Sequence, residues 1–204
     1  MTRVVAAFDF DGTLARGDSL VPFLRRLLPP AALARAASGA WRELLALPLG
    51  GDRRDRAKAA LLSHALRGVP AGRLGAECDA YSRHLEGRLR HDVAARARWH
   101  AGEGHEVVIV SASPEVYLEP LAARLGFTAV LATRLEVGPD GVLTGRIVGA
   151  NVRGAEKVAR LRAWLGGRPA ELWAYGDGAG DRELLALAEH PTRVTRRPLV
   201  TPPA

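Results

Sequence analysis

The sequence of 204 residues predicts an α/β fold, a doubly wound parallel sheet that carries an inserted all-helical cap. Apolar, partly β-branched runs at residues 4–7 and 107–110 are typical of strands buried on both faces of a parallel sheet. Residues 16–90 show no strand pattern and consist of segments rich in Ala, Leu and Arg. We therefore predict a core domain of residues 1–15 and 91–204, with residues 16–90 inserted as the cap.

Proline and glycine divide the inserted region into helical segments. The separators are Pro29-Pro30, Pro48 with Gly50-Gly51, and Gly68 with Pro70. Between them we expect about four helices, at residues 20–28, 31–47, 52–67 and 71–90.

The segment of residues 29–51 is mostly apolar and ends in a cluster of large side chains. The cluster contains Trp41, Leu44, Leu45, Leu47 and Leu49. A helix in the core of the cap explains this composition. An interfacial helix that meets a membrane or a lipid substrate is the alternative.

Helices and strands alternate after residue 91, as in a doubly wound domain. Residues 134–137 and 142–148 flank a turn sequence, Gly138-Pro139-Asp140-Gly141, which predicts a β-hairpin. Ser113 is the expected N-cap of a helix that begins with Pro114. A later helix is expected over residues 181–189, and residues 194–204 are expected to form a last short strand and a Pro-rich end.

The most informative local feature is the run Phe8-Asp9-Phe10-Asp11-Gly12-Thr13-Leu14, directly after the first predicted strand. Alternation along a strand places Asp9 and Asp11 on the same side, at the carboxyl edge where parallel sheets bind ligands. Two carboxylates about 4 Å apart repel by about 4 kcal/mol at an effective dielectric constant of about 20. A cation or a catalytic role accounts for such a pair, and a strand-capping turn relieved by Gly12 is the structural alternative.

Three later groups of residues favour the functional interpretation. Ser111 ends the second predicted strand beside Ala112 and a helix start, where a hydroxyl and free amides form an anion site. Lys157 is one of two lysines in a chain with 29 Lys and Arg residues, which indicates a need for a compact ammonium. Asp177 and Asp181 border a glycine-rich turn and are placed to face one cation. Taken singly, a strand-end serine, a solvated lysine and a capping aspartate explain the same residues.

The order of these features is Asp-x-Asp, strand-Ser, Lys and Gly-Asp-x-x-x-Asp. It resembles the haloacid-dehalogenase-like (HAD) phosphohydrolase superfamily over essentially the whole chain. The long helical insertion resembles the subfamily IB branch, which includes phosphoserine phosphatases. The resemblance implies a Rossmannoid core, phosphoric monoester hydrolase activity on a small phosphorylated substrate and Mg²⁺ as the cofactor.

The resemblance also implies roles for the matching residues. Asp9 corresponds to the nucleophile that forms an aspartyl-phosphate, and Asp11 to the general acid and later the base. Ser111 and backbone amides near Ala112 would hold the phosphoryl oxygens, and Lys157 would neutralise developing charge.

The implied Mg²⁺ ligands come from the same motifs. They are Asp9, the backbone carbonyl of Asp11, and Asp177, with Asp181 as an auxiliary ligand.

Two charged positions in the cap bear on the substrate. Asp18 and Lys58 lie where phosphoserine phosphatases carry a glutamate that faces the substrate amine and an arginine that grips its carboxylate. Asp is shorter, Lys lacks the bidentate fork, and Gly180 stands where those enzymes usually carry asparagine. Phosphoserine, another small phosphomonoester and a phospholipid headgroup such as phosphatidylglycerol phosphate are all open. A phosphotransferase that uses an alcohol in place of water is the second enzymatic alternative.

Composition bears on the remaining classes of function. The net charge of +7 and the pI of about 10.6 raise the alternative of a basic protein that binds nucleic acid or membrane and carries a vestigial site. The basic residues are spread along the chain without a nucleic-acid motif, so we expect no nucleic-acid partner. The single Cys78, the early first strand and the lack of an apolar run of about 18 residues predict a cytoplasmic protein without signal peptide or transmembrane segment. Peripheral membrane contact stays open.

Overall fold

A parallel sheet forms the centre of the computed structural model, which describes residues 3–45 and 53–200. The strands are β1 (Val4–Phe8), β2 (Glu106–Pro114), β3 (Ala129–Thr133), β4 (Leu135–Val137), β5 (Leu143–Ile147), β6 (Glu171–Gly176) and β7 (His190–Arg193). Five of these strands pair in parallel in the order β3-β2-β1-β6-β7, and β4 pairs antiparallel with β5. The predicted doubly wound sheet and the predicted hairpin are therefore confirmed.

Helices occupy most of the remaining chain. They are α1 (Leu20–Leu27), α2 (Pro30–Gly39), α3 (Trp41–Leu45), α4 (Arg53–Leu66), α5 (Ala71–Glu86), α6 (His91–Gly102), α7 (Glu115–Leu125), α8 (Ala155–Leu165) and α9 (Arg182–Leu187). A 3₁₀ turn over Ala179–Asp181 precedes α9. Helices α1 to α5 all lie between β1 and α6 in the chain.

Both faces of the sheet are buried, which explains why its strands read as apolar runs. Val5 and Ala7 of β1 pack with Val108 of β2 in one buried cluster. Phe8 and Ile109 belong to a second cluster, because successive side chains alternate between the two faces.

The order of the strands decides where the site lies. Strand β1 pairs with β2 on one side and β6 on the other, and Phe8 is level with both Ile109 and Tyr175. The carboxyl ends of these three strands therefore meet, and the strand order reverses beside β1. Open parallel sheets bind their ligands at such a point.

The cap region departs from the expected four helices. Residues 31–47 were expected to form one helix, but their described part forms α2 and α3. Helix α2 ends at Gly39, where a Cβ atom would lie 2.6 Å from Nδ1 of His64 in α4. Glycine is a weak helix former and permits this close approach of the two helices. The described residues between β1 and α6 thus contain five helices, and α5 ends at Glu86 instead of residue 90.

The segment expected either in the core of the cap or at a membrane interface has two faces. Ala36 and Ala40 are buried, whereas Trp41 and Leu45 are 52% and 71% exposed. Leu47, Leu49 and the side chain of Leu44 lie outside the described residues. No helix within residues 3–45 and 53–200 is long and apolar enough to cross a membrane.

Two expectations for the core domain are wrong, and one expected helix is present but shorter. Ser113 is not an N-cap, because β2 continues through Pro114 and α7 begins at Glu115. The helix expected over residues 181–189 covers only Arg182–Leu187. The last strand precedes Val194, because the carboxylate of Glu189 accepts the backbone N–H of Leu172 and His190 pairs with Trp173, which brings β7 beside β6. Residues 201–204 lie outside the described chain.

Candidate active site

The structure brings all nine predicted site residues to the lining of one cavity of about 510 Å³. These residues are Asp9, Asp11, Asp18, Lys58, Ser111, Ala112, Lys157, Asp177 and Asp181. The cavity lies where the carboxyl ends of β1, β2 and β6 meet the cap helices α1 and α4.

Lys157 joins two aspartates inside this cavity. Its Nζ donates to Oδ1 of Asp9 at 2.5 Å and to Oδ1 of Asp181 at 2.6 Å. The Lys157 residue is only 2% exposed, so these bonds replace its lost hydration. The interpretation of Lys157 as a solvated surface residue is therefore wrong. Its position in the first turn of α8 is unfavourable for a cation, and the two carboxylates offset that cost.

Three aspartates form a group that could hold a metal ion. Carboxylate oxygens of Asp9, Asp177 and Asp181 lie within 4.8 Å of one another. The turn after β6 is fixed because Oδ2 of Asp181 accepts the backbone N–H groups of Asp177 at 3.1 Å and Gly178 at 3.0 Å. Such an all-oxygen donor set suits a hard divalent cation. Among the described residues, the side chain of Asp11 does not belong to this group.

Gly12 places the loop after β1 directly against Asp177. Its φ is +85°, and a Cβ atom there would lie 2.4 Å from Oδ2 of Asp177. Both the left-handed backbone and the close approach require glycine at this position. The alternative of a purely structural strand cap does not explain why this glycine abuts a second acidic turn.

Asp11 is held differently from Asp9. Its Oδ2 accepts a hydrogen bond of 2.7 Å from the hydroxyl of Ser113, whereas Oδ2 of Asp9 accepts one of 3.0 Å from Thr13. Among the described residues, Oδ1 of Asp11 has no hydrogen-bond partner although it is buried. The two aspartates therefore face the same cavity with different environments.

The remaining predicted residues line the rim and the strand end. The hydroxyl oxygen of Ser111 accepts the backbone N–H of Ser113 at 3.1 Å, which leaves its own hydrogen available to a ligand. Lys58 donates to the carbonyl oxygen of Ala112 and thereby connects α4 to the end of β2. Asp18 is exposed, and its Oδ2 accepts the backbone N–H of Val21 at 2.9 Å, which caps α1.

The charges in the cavity shift the titration of its groups. Burial raises the pKa of Asp9 to about 6, and Lys157 opposes this shift while Asp181 adds to it. Burial also raises the pKa of Asp11 and of Asp177. Burial acts to lower the pKa of Lys157, but Asp9 and Asp181 outweigh it and the pKa rises. Lys157 is therefore a fixed positive charge, and a cation bound among the aspartates would lower their pKa values again.

Sequence reasoning missed several residues of this cavity. Asn151 and Arg153 line it from the loop before α8, and only their nearness to Lys157 in the chain gave any signal. Arg153 lies over Gly180, where a Cβ atom would be 2.9 Å from Nε of Arg153. Gly180, which stands where phosphoserine phosphatases usually carry asparagine, thus leaves space that the Arg153 side chain occupies. Ser113 was noticed, but as a helix cap.

Residues 6–186 match the family described as haloacid dehalogenase-like hydrolase. The chain belongs to this family. The resemblance inferred from the four motifs is therefore confirmed, and the parallel sheet agrees with the fold expected of it.

This haloacid dehalogenase-like hydrolase is similar to named proteins over most of its length. It is 36% identical over 189 residues to Protein CicA of Caulobacter vibrioides, covering 91% of this chain and 83% of the relative. It is 29% identical over 197 residues to phosphoserine phosphatase SerB1 of Mycobacterium tuberculosis, covering 89% of this chain and 61% of that protein. A solved structure of a Bordetella pertussis Tohama I protein of unknown function has a TM-score of 0.72 at 25% identity, covering 92% of this chain and 87% of that chain.

Proposed function

We propose that this haloacid dehalogenase-like hydrolase cleaves a phosphomonoester through an aspartyl-phosphate on Asp9, with Mg²⁺ as cofactor. The observation that carries the proposal is the arrangement around Asp9. One of its oxygens contacts the buried ammonium of Lys157, and its carboxylate also belongs to the three-aspartate group. A nucleophile, a fixed cation and a metal-binding group thus converge at one carboxylate.

Mg²⁺ fits the residues present, because the three-aspartate group offers only oxygen donors and lines the cavity. We assign Asp9, Asp177 and the backbone carbonyl of Asp11 as its ligands, with Asp181 in an auxiliary role because both of its oxygens already accept hydrogen bonds. When bound, Mg²⁺ would offset the repulsion between the Asp9 carboxylate and the phosphate dianion.

The first chemical step transfers the phosphoryl group to the protein. A carboxylate oxygen of Asp9 attacks phosphorus, and the bond from phosphorus to the substrate oxygen breaks. Asp11 gives its proton to that leaving oxygen, so the product departs as a neutral alcohol. The raised pKa of Asp11 favours the protonated form that this step needs.

The second step releases phosphate. Asp11, now a carboxylate, takes a proton from water as the water oxygen attacks phosphorus, and the bond to Asp9 breaks. Lys157 stays charged throughout and stabilises the returning Asp9 carboxylate. An alcohol in place of water would give phosphotransfer by the same route.

Ser111 and the strand end hold the transferred group. The Ser111 hydroxyl has its hydrogen available for a phosphoryl oxygen, and Ala112, whose backbone amide we assign to the same task, lines the cavity beside it. Phosphoryl transfer depends mainly on such positioning and charge stabilisation.

We assign residues 16–90 to a cap over the catalytic core of residues 1–15 and 91–204, and the cap residues to substrate selection. Asp18 and Lys58 line the cavity from the cap side with opposite charges. A phosphomonoester whose alcohol carries charged groups suits this lining, and phosphoserine and phospholipid headgroups both meet that description. The similarity to a phosphoserine phosphatase supports a small phosphorylated substrate.

The test is phosphate release from a panel of phosphomonoesters in the presence of Mg²⁺. The panel includes p-nitrophenyl phosphate, O-phosphoserine and phosphatidylglycerol phosphate in detergent micelles. Hydrolysis should stop with EDTA and return with Mg²⁺, and Asp9→Asn should abolish it. Asp140→Asn is the matched control, because Asp140 is exposed in the β4–β5 turn and does not line the cavity. Activity that survives Asp9→Asn would refute the nucleophile, and activity unaffected by EDTA would refute the metal site.

A further inference from the structure

Two buried serines at the starts of helices do not cap those helices. Ser19 occupies the N-cap position of α1, yet its side chain makes no capping bond, and Asp18 supplies the cap instead. Ser113 precedes α7, whose first turn has no side-chain cap. Serine at an N-cap normally accepts a backbone N–H of its own helix, and Ser113 lies one residue before the N-cap Pro114. Both hydroxyls are therefore committed to something else.

The two hydroxyls belong to a buried chain of hydrogen bonds that ends on Asp11. Tyr117 Oη lies 2.9 Å from Ser19 Oγ, and Ser19 Oγ lies 3.2 Å from Ser113 Oγ. Ser113 Oγ then donates to Oδ2 of Asp11 at 2.7 Å. The side chains come from α7, the start of α1, the end of β2 and the loop after β1.

Counting hydrogens gives the chain one direction. Each hydroxyl owns a single hydrogen, and a carboxylate oxygen only accepts. Since Ser113 gives its hydrogen to Asp11, it must accept from Ser19, and Ser19 must then accept from Tyr117. All three hydroxyl residues are at most 2% exposed, so water has little access to compete for these bonds.

The same chain distinguishes the two oxygens of Asp11. Oδ2 is occupied as an acceptor, whereas Oδ1 is buried and has no partner among the described residues. A buried carboxyl oxygen without a partner is costly unless it serves a ligand or carries a proton. Asp11 lines the cavity, so a ligand there is the natural partner.

We propose that Ser113, supported by Ser19 and Tyr117, is the positioning residue for Asp11: it holds Oδ2 and leaves Oδ1 as the oxygen that exchanges the proton with the substrate. This inference rests on the proposed function, in which Asp11 is the general acid. In the first step the bond from Oδ1 to its hydrogen breaks and the hydrogen joins the leaving oxygen. Ser113 keeps its own hydrogen and contacts neither Oδ1 of Asp11 nor the leaving oxygen.

The chain also attaches the acid to the cap. Ser19 is the residue from which α1 starts, and its backbone carbonyl accepts a hydrogen bond of 2.6 Å from the hydroxyl of Tyr81 in α5. The orientation of the Asp11 carboxylate is therefore linked to two helices of the inserted region. Substrate contacts made by the cap would be transmitted to the acid through one serine.

The experiment compares two aryl phosphates that differ in how much their leaving group needs a proton. The p-nitrophenolate group leaves readily without one, whereas the more basic phenolate of phenyl phosphate needs the acid. The measured quantity is kcat/KM, which reports formation of the aspartyl-phosphate and is unaffected by its later hydrolysis. Ser113→Ala should lower kcat/KM for phenyl phosphate by about 10- to 100-fold and for p-nitrophenyl phosphate by about threefold or less.

Two further variants separate positioning from packing. Tyr117→Phe removes the far hydroxyl with almost no change in volume. It should lower kcat/KM for phenyl phosphate by about threefold to tenfold and again affect p-nitrophenyl phosphate less. Ser82→Ala removes another buried serine hydroxyl, one that bonds to the carbonyl of Asp79, and should leave both substrates unchanged. An equal loss on both substrates, or no loss on either, would overturn the positioning role.

A crystal structure of Ser113→Ala gives a readout that does not depend on activity. The Asp11 carboxylate should rotate from the wild-type orientation once Oδ2 has lost its donor. An unchanged carboxylate would overturn the inference even if the enzyme were inactive. Failure of the proposed function has a different signature, because then the wild-type protein would hydrolyse neither aryl phosphate or Asp9→Asn would remain active.

Discussion

Replacing Lys157 by methionine removes the charge at the centre of the site with little change in side-chain volume. The wild-type ammonium lies 2.5 Å from Oδ1 of Asp9 and 2.6 Å from Oδ1 of Asp181. In Lys157→Met both carboxylates stay buried without their counter-charge, beside Asp177. The folded state should therefore lose stability.

The distances give the size of the effect. At an effective dielectric constant of about 20, each of the two contacts is worth about 6 to 7 kcal/mol of gross attraction. In the wild type, the desolvation of the three charged groups offsets most of this attraction. In the variant, Asp9, whose pKa is already raised to about 6, can take up a proton, which relieves part of the repulsion between the carboxylates. Breaking a buried ion pair from one side costs about 3 to 5 kcal/mol, which is the loss we expect in the free energy of unfolding.

Urea denaturation followed by circular dichroism measures this loss, with EDTA and then with Mg²⁺ present. Mg²⁺ binds the same acidic group, so it should restore more stability to Lys157→Met than it adds to the wild type. A ligand at 100 times its dissociation constant contributes about 2.7 kcal/mol. Phosphatase activity should stay at least about 100-fold below wild type even with Mg²⁺, because the metal does not replace the ammonium at the phosphoryl group.

The chain provides a matched control in Lys58, its other lysine. Lys58 lies at the rim of the cavity and is partly exposed, so Lys58→Met should cost no more than about 1 kcal/mol. Equal losses of unfolding free energy for the two substitutions, or a loss below about 1 kcal/mol for Lys157→Met, would show that the contacts of Lys157 with Asp9 and Asp181 do not stabilise this site.

Three further predictions follow from particular contacts. Gly12→Ala should destabilise the fold by about 1 to 2 kcal/mol, because alanine is strained in this left-handed backbone. Its Cβ atom would also displace Asp177, so Mg²⁺ binding should weaken at least about tenfold in a calorimetric titration. Unchanged binding would mean that the metal binds elsewhere. His100 is buried against His105, Tyr175 and Arg96, and burial lowers its pKa from 6.5 to about 3. Because only the unfolded state takes up this proton, the free energy of unfolding should decrease as the pH is lowered from about 6.5 to 3, by up to about 1.4 kcal/mol per pH unit. His100→Gln should flatten this dependence in urea titrations. A dependence identical to wild type would contradict the lowered pKa of His100. Asp18→Asn, which keeps the oxygen that caps α1, should change kcat/KM on charged alkyl phosphates while sparing p-nitrophenyl phosphate; an equal change on both would remove Asp18 from substrate selection.

Local chemistry in the sequence was enough to predict strands β1 and β2, the β4–β5 hairpin, and candidate charged residues at the edge of the sheet. The runs of residues 4–7 and 107–110 are apolar because both faces of β1 and β2 are buried. Burial of both faces requires an apolar side chain at every position of the strand, so the sequence shows it directly. The aspartates of the first and last motifs follow the ends of neighbouring strands, which the strand order brings together, whereas Lys157 reaches them from the first turn of α8.

Element boundaries were less predictable, since they depend on contacts between distant segments. Helix α2 stops where Gly39 meets His64, a contact across 25 positions of the chain that no local pattern reveals. The last strand lies earlier than expected, because the Glu189 carboxylate accepts the backbone N–H of Leu172. Arg153 lines the cavity beside Gly180, where the lack of a Cβ atom leaves room for its side chain.

The sequence by itself determined which chemical groups the protein carries at the carboxyl edge of its sheet, because residue type and strand spacing are local properties. Only the tertiary structure decided which partners each group has. Ser113 has the sequence signature of a helix cap, yet its hydroxyl bonds to Asp11. For Lys157 the sequence left both a site cation and a solvated lysine open, and the fold buries it between Asp9 and Asp181. The physical reason is that the partner of a buried polar group is chosen by proximity in space, and the folded chain alone sets that proximity.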